Sequence, residues 1–131
     1  MPLRLTIVTP ERVVVDAEVA EVTAPGTEGE FGVLPQHALF LGSLTVGVLR
    51  YVAEGRTRSV VIDGGYAEVR EDVVTVLADA ATAVEDIDAA AAREALLQAR
   101  HAVETGDDDP VKVDALLDDL KRAEASVQAL S

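Results

Sequence analysis

No cysteine occurs among the 131 residues, which removes disulfide bridges and thiolate metal sites and makes a reducing compartment the simpler setting. Aromatic residues are nearly as scarce, at 3%. A core must therefore be built from Val, Leu, Ile and Ala fitted closely together, and with 49% of the chain hydrophobic there is material for one. No apolar run approaches the roughly 18 residues a membrane helix requires. The opening MPLRLTIVTP has one early arginine and no long apolar stretch before Pro10, so it reads as a strand and not as a signal peptide. Positive charge is short as well: 11 Lys and Arg stand against 24 Asp and Glu, a formal net charge of −13. Such a surface repels phosphate backbones and anionic headgroups, so neither nucleic-acid binding nor direct membrane insertion is expected.

Catalytic signatures are missing too. Neither GxGxxG nor GxxxxGK[ST] occurs, which removes the usual phosphate loops. The histidines number 2, His37 and His101. His101 lies beside Arg100 on what reads as the outer face of a helix. His37 near Glu28 and Glu30 could suggest a metal or acid/base cluster, but one imidazole and two carboxylates without a second His or Cys are a weak signal. The length suits one domain of roughly 100–200 residues, or a compact domain with a small appendage.

Up to about residue 80 the pattern alternates with period two. Leu3, Leu5 and Ile7 form a half-buried strand ending at Thr9-Pro10. Further strands follow at Val13 and Val19, each bounded by turn residues. Pro25-Gly26 reads as a break, Glu54-Gly55 and Glu71-Asp72 as hairpin turns, and Asp63-Gly64-Gly65 as another turn between 57–63 and 66–70. Seven to ten short strands at roughly 8–12-residue intervals predict an antiparallel sandwich or flattened barrel.

Near residue 85 the period changes to about 3.6. Asp88 is a good N-cap for a helix over 89–104, whose apolar line is Ala92, Leu96, Ala99 and Val103. Thr105-Gly106 stops it, and Asp109-Pro110 starts a second helix with the cap-then-proline order that helix starts prefer. Its apolar seam is Val113, Leu116, Leu120, Ala123, Val127 and Leu130. The two predict an antiparallel αα-hairpin, seam against alanine face; the strict spacing of the seam also suits a partner. Too small to be stable alone, the hairpin must lean on the β body or on another chain.

The most irregular stretch is 28–38, EGEFGVLPQHA. Gly29, Gly32 and Pro35 predict a sharply turned loop that leaves the sheet ladder, anchored by a short buried core over 31–34. It holds the candidates for a site, and two functions from different classes fit it: a non-catalytic interaction surface, or a free-standing β-sandwich binding module or small hydrolase using His37 with Glu28 and Glu30.

Five segments carry a family likeness. Gly29-Glu30-Phe31-Gly32-Val33-Leu34-Pro35-Gln36-His37-Ala38, Leu44-Thr45-Val46-Gly47, Asp63-Gly64-Gly65-Tyr66-Ala67-Glu68-Val69, Val73-Val74-Thr75-Val76-Leu77-Ala78-Asp79 and Ile87-Asp88 closely resemble, in order and spacing, the epsilon subunit of F-type ATP synthases. The resemblance covers about residues 3–90. It implies an N-terminal all-β sandwich of about ten strands over residues 1–84, followed by a C-terminal antiparallel two-helix hairpin over residues 85–131. It further implies a non-catalytic rotor subunit at the cytoplasmic face of the bacterial cell membrane, bound to the gamma subunit and the c-subunit ring. The helices would reach the alpha and beta subunits to restrain ATP hydrolysis. Glu28, Gly29 and Glu30 would face the c ring, and His37 the gamma subunit.

The sequence also departs from the family pattern. Leu39 stands where many members have proline after His-Ala. ATP-binding members follow Ile or Leu and Asp, after two residues, with Arg-Ala. Here Ile87 and Asp88 are followed at those places by Ala91-Ala92, and Arg93, two positions late, is rotated by roughly 200° around the helix. The motif is vestigial, and no cofactor is expected. The second helix sets Lys112, Lys121 and Arg122 against Asp114, Asp118, Asp119 and Glu124, which against an acidic partner repels as much as it attracts; weak or absent inhibition is the expectation.

Overall fold

A computed structural model describes residues 2–106 and 108–131. The strands are β1 (Leu3–Val8), β2 (Val13–Val19), β3 (Glu21–Gly26), β4 (Gly29–Val33), β5 (Phe40–Leu44), β6 (Gly47–Ala53), β7 (Arg56–Arg70) and β8 (Val73–Ala83). A 3-10 turn at Val84–Asp86 leads into α1 (Ala89–Thr105) and then α2 (Pro110–Ala129). The strands run in the order β2-β1-β8-β7-β5-β3-β4, with β6 bridging β3 and β7. Only the β1–β8 pairing is parallel in this ladder set.

The sheet has eight strands where about ten were expected, and the main reason is Asp63-Gly64-Gly65. These residues do not turn. β7 passes through them as one strand of 15 residues, in one register with β8 from Val60↔Ala83 to Arg70↔Val73, interrupted only at Gly64. What changes there is the face. Val60 and Ile62 point into the core before the glycines, Ala67 and Val69 after them, so the inward side passes from even to odd positions. Gly64 and Gly65 sit at φ 70° and 119°, which rotates the pleat without ending the ladder. The neighbour changes at the same point, β6 pairing with the first part of β7 and β5 with the second. One strand thus serves both layers, as corner strands do when sheets pack face to face.

The segment 28–38 also differs from expectation. Its first half is β4, paired residue for residue with β3 from Val22↔Val33 to Gly26↔Gly29, and β3 itself continues through Pro25-Gly26. The turn is just Thr27 and Glu28, ahead of the glycines that suggested a loop. Gly26 is required at its root, because a Cβ there would stand 2.6 Å from the Gly29 carbonyl oxygen. Of the expected anchor over 31–34, Val33 is buried, but Leu34 is 59% exposed.

The core follows the alternation of β1: Leu3, Leu5 and Ile7 are fully buried together with Leu49 and Ile62. Each is worth about 1.5–3 kcal/mol of transfer free energy. Among the described residues no polar or charged side chain is buried.

Both helix starts follow the sequence reading. The Asp88 carboxylate accepts the Ala91 N–H at 3.1 Å and Asp109 accepts that of Val111 at 3.0 Å, with Pro110 in the first turn. α1 packs on α2, and α2 lies against β6 and β7. Ala125 and Ala129 of α2 meet Val48 and Val61, with Val46, Val84 and Ile87 around them. The seam residues Val113, Leu116, Leu120, Val127 and Leu130 are half-buried, and the alanine pair beside them carries the contact with the sheet.

Gly65 is the position least open to change, since a Cβ would collide with the Leu77 carbonyl oxygen at a φ that disfavours side chains. Gly65→Ala is expected to cost about 3 kcal/mol or more. Gly55→Ala, at φ 75° with nothing within 4 Å of the new methyl, should cost about 1 kcal/mol. Urea unfolding of the two variants side by side checks the contrast.

Candidate functional site

The β3–β4 turn is built to project. Thr27 Oγ1 lies 2.7 Å from Ser43 Oγ, and the Thr27 N–H donates to the Ser43 carbonyl at 3.1 Å, tying the turn to β5. Glu28, Gly29 and Glu30 are left exposed beyond that tie. With Phe31, Phe40 and Ser43 they border an open cleft of about 510 Å³.

His37 is half-buried at the other end of the segment. Its Nδ1–H donates to the Ala38 carbonyl at 2.7 Å, which fixes the tautomer because a carbonyl only accepts. Its ring stands edge-on to Phe40 at 6.3 Å, and Phe40 packs on Phe31 at 4.9 Å. Nδ1 of the imidazole is thus taken up by main chain, and its ring faces Phe40. Among the described residues no three His, Asp or Glu side chains are grouped to hold a metal ion.

A second feature escaped the sequence reading. Directly opposed residues of neighbouring strands share a face, and the register runs Val13↔Val8, Val8↔Leu77 and Leu77↔Tyr66 across β2, β1, β8 and β7, ending on Ser43 of β5. Val13, Leu77 and Tyr66 are exposed on that outward row, and Leu41 and Leu39 extend it along β5 and its approach. The next row runs Asp16, Thr6, Thr75 and Glu68, polar until it ends on Leu41 of β5. Exposed apolar side chains thus gather on one outward face, beside polar neighbours. Its signal in the sequence was the outward half of each alternation, which a search for core residues discards.

The helical region uses its motif residues structurally. Ile87 packs beside the alanine contact of α2, and Asp88 caps α1. A groove of about 430 Å³ between the helices is lined by Ala92, Ala95, Gln98, Ala99, Asp119 and Arg122 among others. Arg122 is its cation, and it is engaged: Nε donates to Asp63 Oδ2 at 2.6 Å and an Nη to Asp119 Oδ1 at 3.2 Å. The hydrogen bond to Asp63, followed by the attraction of that charge, raises the Arg122 pKa above its ordinary value. The guanidinium therefore stays charged, and the pair stays formed on the arginine side, at every pH below the arginine range. Of the charged side chains lining this groove, Arg122 and Asp119, the cation is therefore already committed to carboxylates.

The family profile described as ATP synthase, Delta/Epsilon chain, beta-sandwich domain matches residues 2–84. The chain is 53% identical over 92 residues to the ATP synthase epsilon chain of Pelotomaculum thermopropionicum, covering 70% of this chain and 69% of that one. It is 40% identical over 131 residues to that of Synechococcus sp. WH7803, covering 98% and 96%. Its fold superposes with a TM-score of 0.85 and 28% identity on a chain of the Euglena gracilis mitochondrial ATP synthase (OSCP/F1/c-ring, rotational state 1), covering 99% of this chain and 82% of that one.

Arg122→Gln is expected to lower stability by about 0.5 kcal/mol, the scale of an exposed ion pair. The difference should shrink in 1 M salt, where the Debye length is about 3 Å. Urea titrations of both proteins at low and high salt check this.

Proposed function

The chain belongs to the ATP synthase delta/epsilon family, and from that premise we infer that it is the epsilon subunit of an F-type ATP synthase. In that role it is a central-stalk rotor component coupling ion-driven rotation of the c ring to ATP synthesis in the catalytic head. The observation that carries the reading is the pairing, on one sandwich, of a braced acidic turn with an apolar outward row. An isolated binding module has no use for two such unlike surfaces side by side, and a rotor subunit held between a ring and a shaft has. Residues 1–84 form the part that binds gamma and the c ring, and residues 85–131 the hairpin that bears on ATP hydrolysis and reaches the alpha and beta subunits.

Within that frame Glu28, Gly29 and Glu30 face the polar loops of the c ring, and His37, with the apolar row that starts near it, faces gamma. The subunit carries no catalytic residues of its own; the engaged imidazole of His37 supports this. Its place is peripheral, at the cytoplasmic face of the bacterial cell membrane, and among the described residues no helix is long and apolar enough to cross a bilayer. The occupied Arg122 and the capping role of Asp88 support a hairpin that does not take ATP as an effector.

The absence of native cysteine makes the test direct. In assembled synthase, Glu30→Cys should crosslink to the c subunit and His37→Cys to gamma under mild oxidation with cysteines placed on those partners. Intact assembly with no crosslink at either position would sink the assignment. Removal of residues 88–131 should leave ATPase activity of the assembled enzyme nearly unchanged, since the mixed charge of α2 gives little net attraction to an acidic partner; a strong rise would overturn that part.

A further inference from the structure

Two turns bound β7, and they differ in one residue type. Each joins its strands through two residues at positive φ: Glu54 and Gly55 at 52° and 75°, Glu71 and Asp72 at 49° and 64°. Two-residue turns of this hand favour glycine at the second place. The first turn has it; the second has Asp72, which tolerates that conformation less well than glycine.

The use of the aspartate lies across the fold. Asp72 Oδ1 accepts the Gln36 main-chain N–H at 2.7 Å, while its carbonyl accepts the Arg4 N–H at 2.8 Å. Gln36 is itself at φ 66°, in a turn closed by the His37 N–H on the Leu34 carbonyl at 3.2 Å. Two turns, each held in an unfavourable conformation, are fastened to one another. Residues kept at such angles persist when surrounding structure over-determines them, and they mark places worth a functional question. Here the fastening fixes the segment that carries Leu34 and His37 and leads into Leu39, where the apolar extension along β5 begins.

We propose that Asp72 is a positioning residue for gamma docking: its carboxylate clasps the 34–38 turn to the β7–β8 turn, so that His37 and the apolar row meet the partner as one preformed surface. This rests on the reading of that face as the gamma-facing one. A turn left loose must be ordered when the partner arrives, and that entropy is lost from the affinity.

Glycine and asparagine at position 72 separate the clasp from the backbone. Asp72→Gly suits the positive φ and deletes the acceptor; Asp72→Asn keeps a side-chain oxygen and tolerates the angle. In the full-length protein, Asp72→Gly should unfold at the wild-type temperature or above, speed amide exchange at Gln36 about tenfold or more, and weaken binding to purified gamma about three- to tenfold. Asp72→Asn should restore both readouts. A companion variant, Tyr66→Glu, charges the apolar row and should weaken gamma binding independently. If Asp72→Gly binds gamma as wild type while Tyr66→Glu does not, the clasp is overturned and the face assignment stands. If both bind as wild type, the face assignment falls and the proposal with it. Unchanged exchange at Gln36 in Asp72→Gly also overturns the clasp.

Discussion

The fold depends on a rotation of the pleat at Gly64 and Gly65. Without it β7 would keep one side toward the core along its whole length, and it could not pass from pairing with β6 to pairing with β5. β8, locked to it in register, would lose its route between layers too. Because the rotation occurs where it does, the first part of β7 turns Val61 outward toward α2, and the second part turns Tyr66 outward to solvent. One backbone event thus divides the sandwich into a side that holds its own helices and a side left for a partner. Asp63 stands at the division, where Arg122 of α2 reaches it.

The two attachments differ in kind. The sandwich is closed by large aliphatic side chains with no polar group buried among the described residues, so its cohesion scales with the apolar area removed from water. The helical hairpin rests on the sheet through Ala125 and Ala129, whose single methyls remove little area, and through an ion pair that solvent screens. Within a rotor subunit, that sets a firm body beside a lightly held hairpin.

What could be read from the sequence was what neighbours along the chain decide. The alternation of Leu3, Leu5 and Ile7, the caps Asp88 and Asp109, and the stops at Gly106 all act within a turn or two, and they appear where expected. The misreadings came from residues with two uses. Gly64-Gly65 has the composition of a hairpin turn, but its partner strand runs on past it, and only the pairing with β8 distinguishes a turn from a twist. Gly29 and Gly32 looked like loop residues, but both pair with β3, and only that pairing shows them to be strand. The site divided the same way: the exposed Glu28–Glu30 tip and His37 stand out in the sequence as irregularities. The Asp72–Gln36 and Arg122–Asp63 contacts join residues 36 and 59 positions apart, and nothing local announces them.

The parallel pairing of β1 with β8 has a consequence for how the molecule comes into being. Arg4 pairs with Val73 and Val8 with Leu77, so β1 waits for β8, made about 65 residues later, before its second edge is covered. Closing a loop that long costs entropy before any contact returns it, and topologies dominated by such distant pairings fold slowly. Through that interval β1 is held on one side only, by its hairpin with β2, and its unsatisfied edge is the stretch most exposed to pairing with another nascent copy.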